Sequence, residues 1–136
     1  MNTHNPATPD DNKAFVLKAF DTLFNQRDYA AAETFWSPHY LQHSAHIKPG
    51  RDGLFNLVKS APPDFRYESR LAIAEDDHVL IHGRFTNHRQ PRPWIVVDIV
   101  RLQSGQLAEH WDVIHDEASR ASSQSGLPMF GDQFPD

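Results

Sequence analysis

The chain has no cysteine. That excludes disulfides, thiolate metal sites and a cysteine nucleophile, and it fits a cytoplasmic chain without proving one. No apolar run approaches the roughly 20 residues of a membrane-spanning helix, so no membrane partner is expected. The N-terminal stretch MNTHNPATPDD lacks the apolar segment of a secretory signal. Basic charge is not in excess: 13 Lys and Arg against 18 Asp and Glu give a formal net charge of −5. A broad nucleic-acid footprint is therefore not expected. There is no internal repeat.

What is present is one domain's worth of chain. The 136 residues are enough to bury a core without staples. Residues 1–9 are polar and proline-containing and read as a loose arm. From Asp10, Phe15, Val16, Ala19, Phe20, Leu23 and Phe24 recur at helical spacing, which predicts an amphipathic helix to about Gln26, capped by Asp10 or Asp11. Asp28 caps a second helix, Tyr29 to about Trp36, which Ser37-Pro38 stops. HYLQHSAHIKPG reads as extended or looped. Arg51 to Lys59 is a third short helix, ended by Pro62-Pro63.

The second half alternates with period two. Arg66–Ala74, His78–Asn87, Trp94–Leu102 and Gln106–His115 read as strands, with turns at Asp76-Asp77 and Ser104-Gly105. Helices followed by a meander indicate an α+β fold: a curved antiparallel sheet wrapped around the N-terminal helices, a cone with an internal cavity. The domain spans 10–116. Residues 117–136 form a Ser- and Gly-rich tail that only docking on the domain can order.

The richest stretch is Trp94 to Asp116. Asp98 interrupts a run of Val and Ile and faces the same way as Val96 and Val100. It either lines the cavity, with Arg84 and Arg101 as available partners, or sits solvated on an outer face. His110 and Asp112 are two apart on the next strand and leave one face together. A carboxylate among β-branched residues is costly to bury without partners or a task. His43 follows the second helix, at the expected cavity rim or as a structural histidine. His82 and His110 remain open, because parity alone does not say which face is concave. Tyr40 and Trp111 either shape the cavity or pack in the core or a dimer. His39, His43 and His46 have helix-like spacing, but Pro38 and Pro49 argue against a helix and so against a metal site. HRQPRP, residues 88–93, is basic and either meets an anionic ligand or is solvated.

YLQH at 40–43, GRDG at 50–53, VVDIVR at 96–101 and EHWDVI at 109–114 resemble the SnoaL-like polyketide cyclase branch of the nuclear transport factor 2-like superfamily. The resemblance runs from about Asp10 to Phe130. It implies a cone with a deep pocket, commonly dimeric through the sheet, working without metal or cofactor. It also implies Asp112 as the acid/base, with Asp98 and His43 at pocket-lining positions. The expectation is a cofactor-free enzyme acting on a carbonyl-containing small molecule by aldol-type cyclisation or isomerisation. Catalytic candidates are Asp112, Asp98 and His43; substrate-binding candidates are Tyr40, His82, His110 and Trp111. The alternative is a non-catalytic binding or dimeric interaction module of the same fold, and a third reading is Asp-activated hydrolysis or dehydration.

Overall fold

A computed structural model describes residues 7–136, so most of the expected arm, 1–9, lies outside the described residues. The first helix, α1 (Pro9–Phe20), opens two or three residues earlier than the acidic caps suggested. Thr8 is its N-cap: Thr8 Oγ1 accepts the Asp11 amide, and the Asp11 carboxylate accepts the Thr8 amide. Pro9 occupies the first helical position, where its missing N–H costs nothing. A π-helical turn (Asp21–Asn25) extends α1. There Asn25 reaches across to the sheet, accepting from the Tyr67 amide and donating to the Tyr67 carbonyl. One side chain thus takes the place of a neighbouring strand along part of the sheet edge.

Helix α2 (Tyr29–Phe35) is capped by Asp28 and runs directly into β1 (Trp36–Gln42). Helix α3 (Gly50–Ser60) follows, then β2 (Arg66–Glu75), β3 (His78–Thr86), β4 (Trp94–Gln103) and β5 (Gln106–Asp116). The sheet order is β1-β5-β4-β3-β2. The meander β2 to β5 is antiparallel as expected, with Ser104 and Gly105 both at positive φ in the last hairpin turn.

The sheet as a whole is mixed rather than antiparallel, because β1 pairs with β5 in parallel. This strand lies within the segment read only as extended or looped. Its ladder breaks between Trp36 and Leu41, around Pro38, which has no N–H to donate and is tolerated on an edge strand. The irregular ladder hides the strand from pattern reading, yet its end seats Gln42 beside His110.

One face of the sheet takes the helices. Val16, Ala19, Phe20 and Leu23 of the first helical segment pack with Val79, Ile81 and Val100. Gly83 lies under the Tyr67 ring, where a Cβ would come within 2.5 Å of an aromatic carbon. The opposite face carries His82, Arg84, Trp111 and Val113. There Phe130 of the C-terminal segment is buried, 4.6 Å from the Arg84 guanidinium and 5.6 Å from the His82 ring. Among the described residues no helix is long and apolar enough to cross a membrane.

Candidate active site

The helices fill only part of the concave face and leave a cavity of about 400 Å³. Its walls are mainly aromatic and aliphatic, with Phe20, Phe24, Trp36, Phe65 and Phe85 among them. Into this apolar hollow β4 and β5 project Asp98, His110 and Asp112. Asp98 and Asp112 are direct cross-strand partners.

Hydrogen bonding determines which atoms carry protons. Gln42 Oε1 accepts the Ser44 backbone amide at 2.9 Å. A backbone N–H can only donate, so the orientation of the Gln42 amide is settled. His110 Nδ1 lies 2.6 Å from the same oxygen and therefore carries a hydrogen. His110 Nε2 lies 2.6 Å from Asp98 Oδ1, and one proton is shared between them. Asp98 is only 3% exposed. Burial pushes its carboxyl above the usual carboxylate range; the His110 hydrogen bond pulls it down, and the Asp112 charge pushes it up again. Its second oxygen, Oδ2, is buried and has no hydrogen-bond partner among the described residues.

Tyr40 completes the group. Gln42 Nε2 donates to its phenol oxygen at 3.0 Å, so the phenol's own hydrogen can be given elsewhere. Burial, reinforced by the Asp98 charge, holds Tyr40 protonated far above its usual range. The result is a buried carboxyl–imidazole pair, a second carboxylate and a phenol donor around one apolar space. Such a set can remove a proton from carbon and protonate the oxygen that gains charge. The potential ligand atoms of Asp98, His110 and Asp112 lie within 4.8 Å of one another, so among the described residues these three could also hold a divalent ion.

Three other candidates lie elsewhere. His43, expected at the rim, is on the convex face. It stacks on Trp111 at 5.0 Å and bonds the Glu109 carboxylate at 2.7 Å. Hydrogen bonds from His43 and Arg101 hold the Glu109 carboxyl below its usual range. Trp111 points away from the cavity because it alternates with His110 and Asp112. His82 alternates with inward-facing Ile81 and Gly83 and meets Phe130 instead. His39, His43 and His46 do not converge: His39 is exposed, His43 is convex, and His46 packs 5.1 Å from Trp94 at the cavity. Sequence reading missed Gln42, whose only signal was its place in YLQH, and His88, which was read merely as part of a basic loop.

A curved, unclosed sheet cupping three helices around such a hollow is the nuclear transport factor 2-like fold. Residues 16–110 match the SnoaL-like domain, and the chain belongs to that family. No curated protein matches it. Among solved structures it is similar to AclR, a candidate hydroxylase from Streptomyces galilaeus, at 25% identity, covering 80% of this chain and 81% of that one, TM-score 0.67. It is also similar in fold to a candidate ketosteroid isomerase from Kribbella flavida (15% identity, 93% and 96% covered, TM-score 0.71). A candidate polyketide cyclase from Bacillus cereus shares the fold at 14% identity, 76% and 74% covered, TM-score 0.65.

The buried Asp98 makes a pH prediction. A raised folded-state pKa means that the stability contributed by the protonated carboxyl is fully present below the unfolded value of about 4. It is lost as pH rises through the folded value. Asp98→Asn mimics the protonated form and removes this dependence. Denaturant titrations from pH 4 to 8 should therefore show the variant gaining on the parent with rising pH. The gain should be about 1.4 kcal/mol per unit of displacement. Parallel stability curves would show that Asp98 titrates as an ordinary carboxyl.

Proposed function

We propose that this protein is a small enzyme of SnoaL-like type that moves protons on a carbonyl-containing small molecule. The Asp98–His110 pair, buried in the wall of an apolar cavity opposite Asp112, is the observation that carries the reading. In the proposed cycle Asp112 takes a proton from the carbon beside the carbonyl. The electron pair moves onto the carbonyl oxygen, which accepts a hydrogen bond from the Tyr40 phenol, whose oxygen is in turn held by Gln42. For an isomerisation, Asp112 returns its proton at another carbon. For an aldol closure, the enolate carbon attacks a second carbonyl of the same molecule, and the resulting alkoxide takes the proton from Asp112. Either way the product is an isomer of the substrate.

The test works with the substrate unidentified. A thermal-shift screen of ketones and 1,3-dicarbonyl compounds finds ligands, because native-state binding raises the melting temperature. The hits are then incubated with protein in D2O, and exchange of the protons next to the carbonyl is followed by NMR. Accelerated exchange is the expected result. Tight ligands with no accelerated exchange would favour the non-catalytic binding module, which needs the apolar cavity but not the carboxylates.

We also propose a cytoplasmic homodimer through the convex sheet face. Leu71, Ile73 and Val113 are each more than half exposed there, a grouping of apolar side chains that a partner would cover. Sedimentation equilibrium should give twice the chain mass, and Ile73→Asp with Val113→Arg should give a monomer. A monomeric parent at micromolar concentration would remove the dimer.

A further inference from the structure

Gln42 stands at the end of β1, and the parallel pairing with β5 sets it against His110. The backbone fastens it there. The His43 amide donates to the His110 carbonyl at 2.9 Å, and the Ser44 amide donates to Gln42 Oε1 at 2.9 Å. One side-chain amide then serves two groups of the site at once. Its oxygen lies 2.6 Å from His110 Nδ1, and its nitrogen lies 3.0 Å from the Tyr40 phenol oxygen. The two contacts act differently. An N–H held on Nδ1 leaves Nε2, 2.6 Å from Asp98 Oδ1, as the ring atom that shares a proton with the carboxyl. On the other side, the amide NH2 can only donate. The Trp36 indole approaches the same phenol oxygen, and it too can only donate. Neither neighbour can accept the phenol's hydrogen, so that hydrogen turns toward the cavity that Tyr40 lines.

From this arrangement we propose that Gln42 is a positioning residue, which fixes where the site's protons sit: one on His110 Nδ1, the other on the side of Tyr40 that meets a bound carbonyl oxygen. Gln42 touches no substrate in this role and acts through the imidazole and the phenol. An uncharged amide suits the place because it accepts at one end and donates at the other. A carboxylate there would accept from both neighbours. It would keep the hydrogen on Nδ1 but draw the phenol hydrogen to itself, away from the cavity. An aliphatic side chain would release both. With no acceptor at Nδ1, that hydrogen is given up to solvent, and the shared proton settles on Nε2 beside an ionised Asp98. The use made of the Tyr40 hydrogen rests on the proposed enzyme reading; its direction and the His110 tautomer do not.

The test begins with NMR on the full chain without ligand. Long-range 1H–15N spectra of 15N-histidine protein read the His110 tautomer. The Cζ resonance of 13C-tyrosine protein reads whether the Tyr40 phenol donates to a carboxylate. His110→Asn and Tyr40→Phe assign the two signals. The parent should carry its hydrogen on Nδ1, Gln42→Glu should keep it there, and Gln42→Leu should lose it. Gln42→Glu should instead move the Tyr40 Cζ signal. An unchanged tautomer in Gln42→Leu, or an unmoved Tyr40 signal in Gln42→Glu, would overturn the proposal and leave Gln42 a residue of the strand edge, whose loss lowers only the melting temperature. The variants are then compared on ketones whose carbon-bound protons the parent exchanges. Tyr40→Phe and Gln42→Glu should each slow exchange by about 10²–10³-fold, the cost of one donor to a developing oxyanion. The double variant should be no slower than either, because the same hydrogen is lost once. Losses that multiply would show that Gln42 does not act through Tyr40, and would also overturn the proposal. A parent that exchanges no ketone would remove the enzyme reading, while the two NMR measurements still decide the role of Gln42.

Discussion

Asp112→Asn is expected to keep the fold and slow carbon-proton exchange by roughly 10²–10⁴-fold, the range that a positioned acid or base contributes. The substitution changes one oxygen to an NH2 group of nearly the same volume. Asp112 is half-buried on the cavity wall and directly faces Asp98 across the ladder. Two carboxylates so placed disfavour each other's charge. Neutralising Asp112 removes that repulsion, so the melting temperature should stay level or rise while exchange is lost. A drop in both would mean that the residue is structural. Full exchange in Asp112→Asn, with loss in Asp98→Asn, would move the base to the neighbouring strand. The two variants also differ in affinity. Asp98→Asn alters the group that shares a proton with His110, so it should weaken binding of carbonyl ligands as well as turnover, whereas Asp112→Asn should spare binding.

Much of this geometry is legible in the sequence, and the physical reason is the period of the strand. Side chains two apart share a face, so Asp98 with Val96 and Val100, and His110 with Asp112, group together on spacing alone. The same rule, carried one step further, removes Trp111, which lies between His110 and Asp112. His82 also needs the register of β3 with β4, which pairs Ile81 with Asp98 and so turns His82 outward. His43 was not open to that argument. Its side depends on β1, a parallel edge strand interrupted at Pro38, whose register with β5 pairs Gln42 with His110. Once Gln42 faces inward, His43 must face outward. The role of Gln42 follows from the same contact, and nothing in its own residue type announces it. The Thr8 cap was hidden for a simpler reason: two acidic residues just beyond it looked like better caps, while the helix begins at Pro9.

The C-terminal segment provides the second large effect, on stability. Glu117 has no exposed surface, and its carboxylate is held bidentately by Arg84, with Nε–Oε1 at 2.7 Å and Nη2–Oε2 at 2.5 Å. Phe130 lies over the guanidinium. The backbone of Glu117 is used as well: its carbonyl accepts from Arg92 Nε at 2.6 Å, and its amide donates to the Pro93 carbonyl. One residue therefore ties β3, the β3–β4 loop and the tail together. Arg84→Met keeps much of the side-chain volume but leaves a carboxylate buried without its partner. Breaking such a pair from one side costs about 3–5 kcal/mol. That is a large share of the roughly 5–15 kcal/mol that holds a domain folded. It corresponds to a fall of about 10–20 °C in melting temperature. The double variant Arg84→Met/Glu117→Leu should recover most of the loss, because two apolar side chains leave no stranded charge. Recovery would show that the cost of Arg84→Met is Glu117 left alone in the interior. A double variant as unstable as the single would show that the guanidinium's contact with Phe130 and its reach to Glu68 hold the tail.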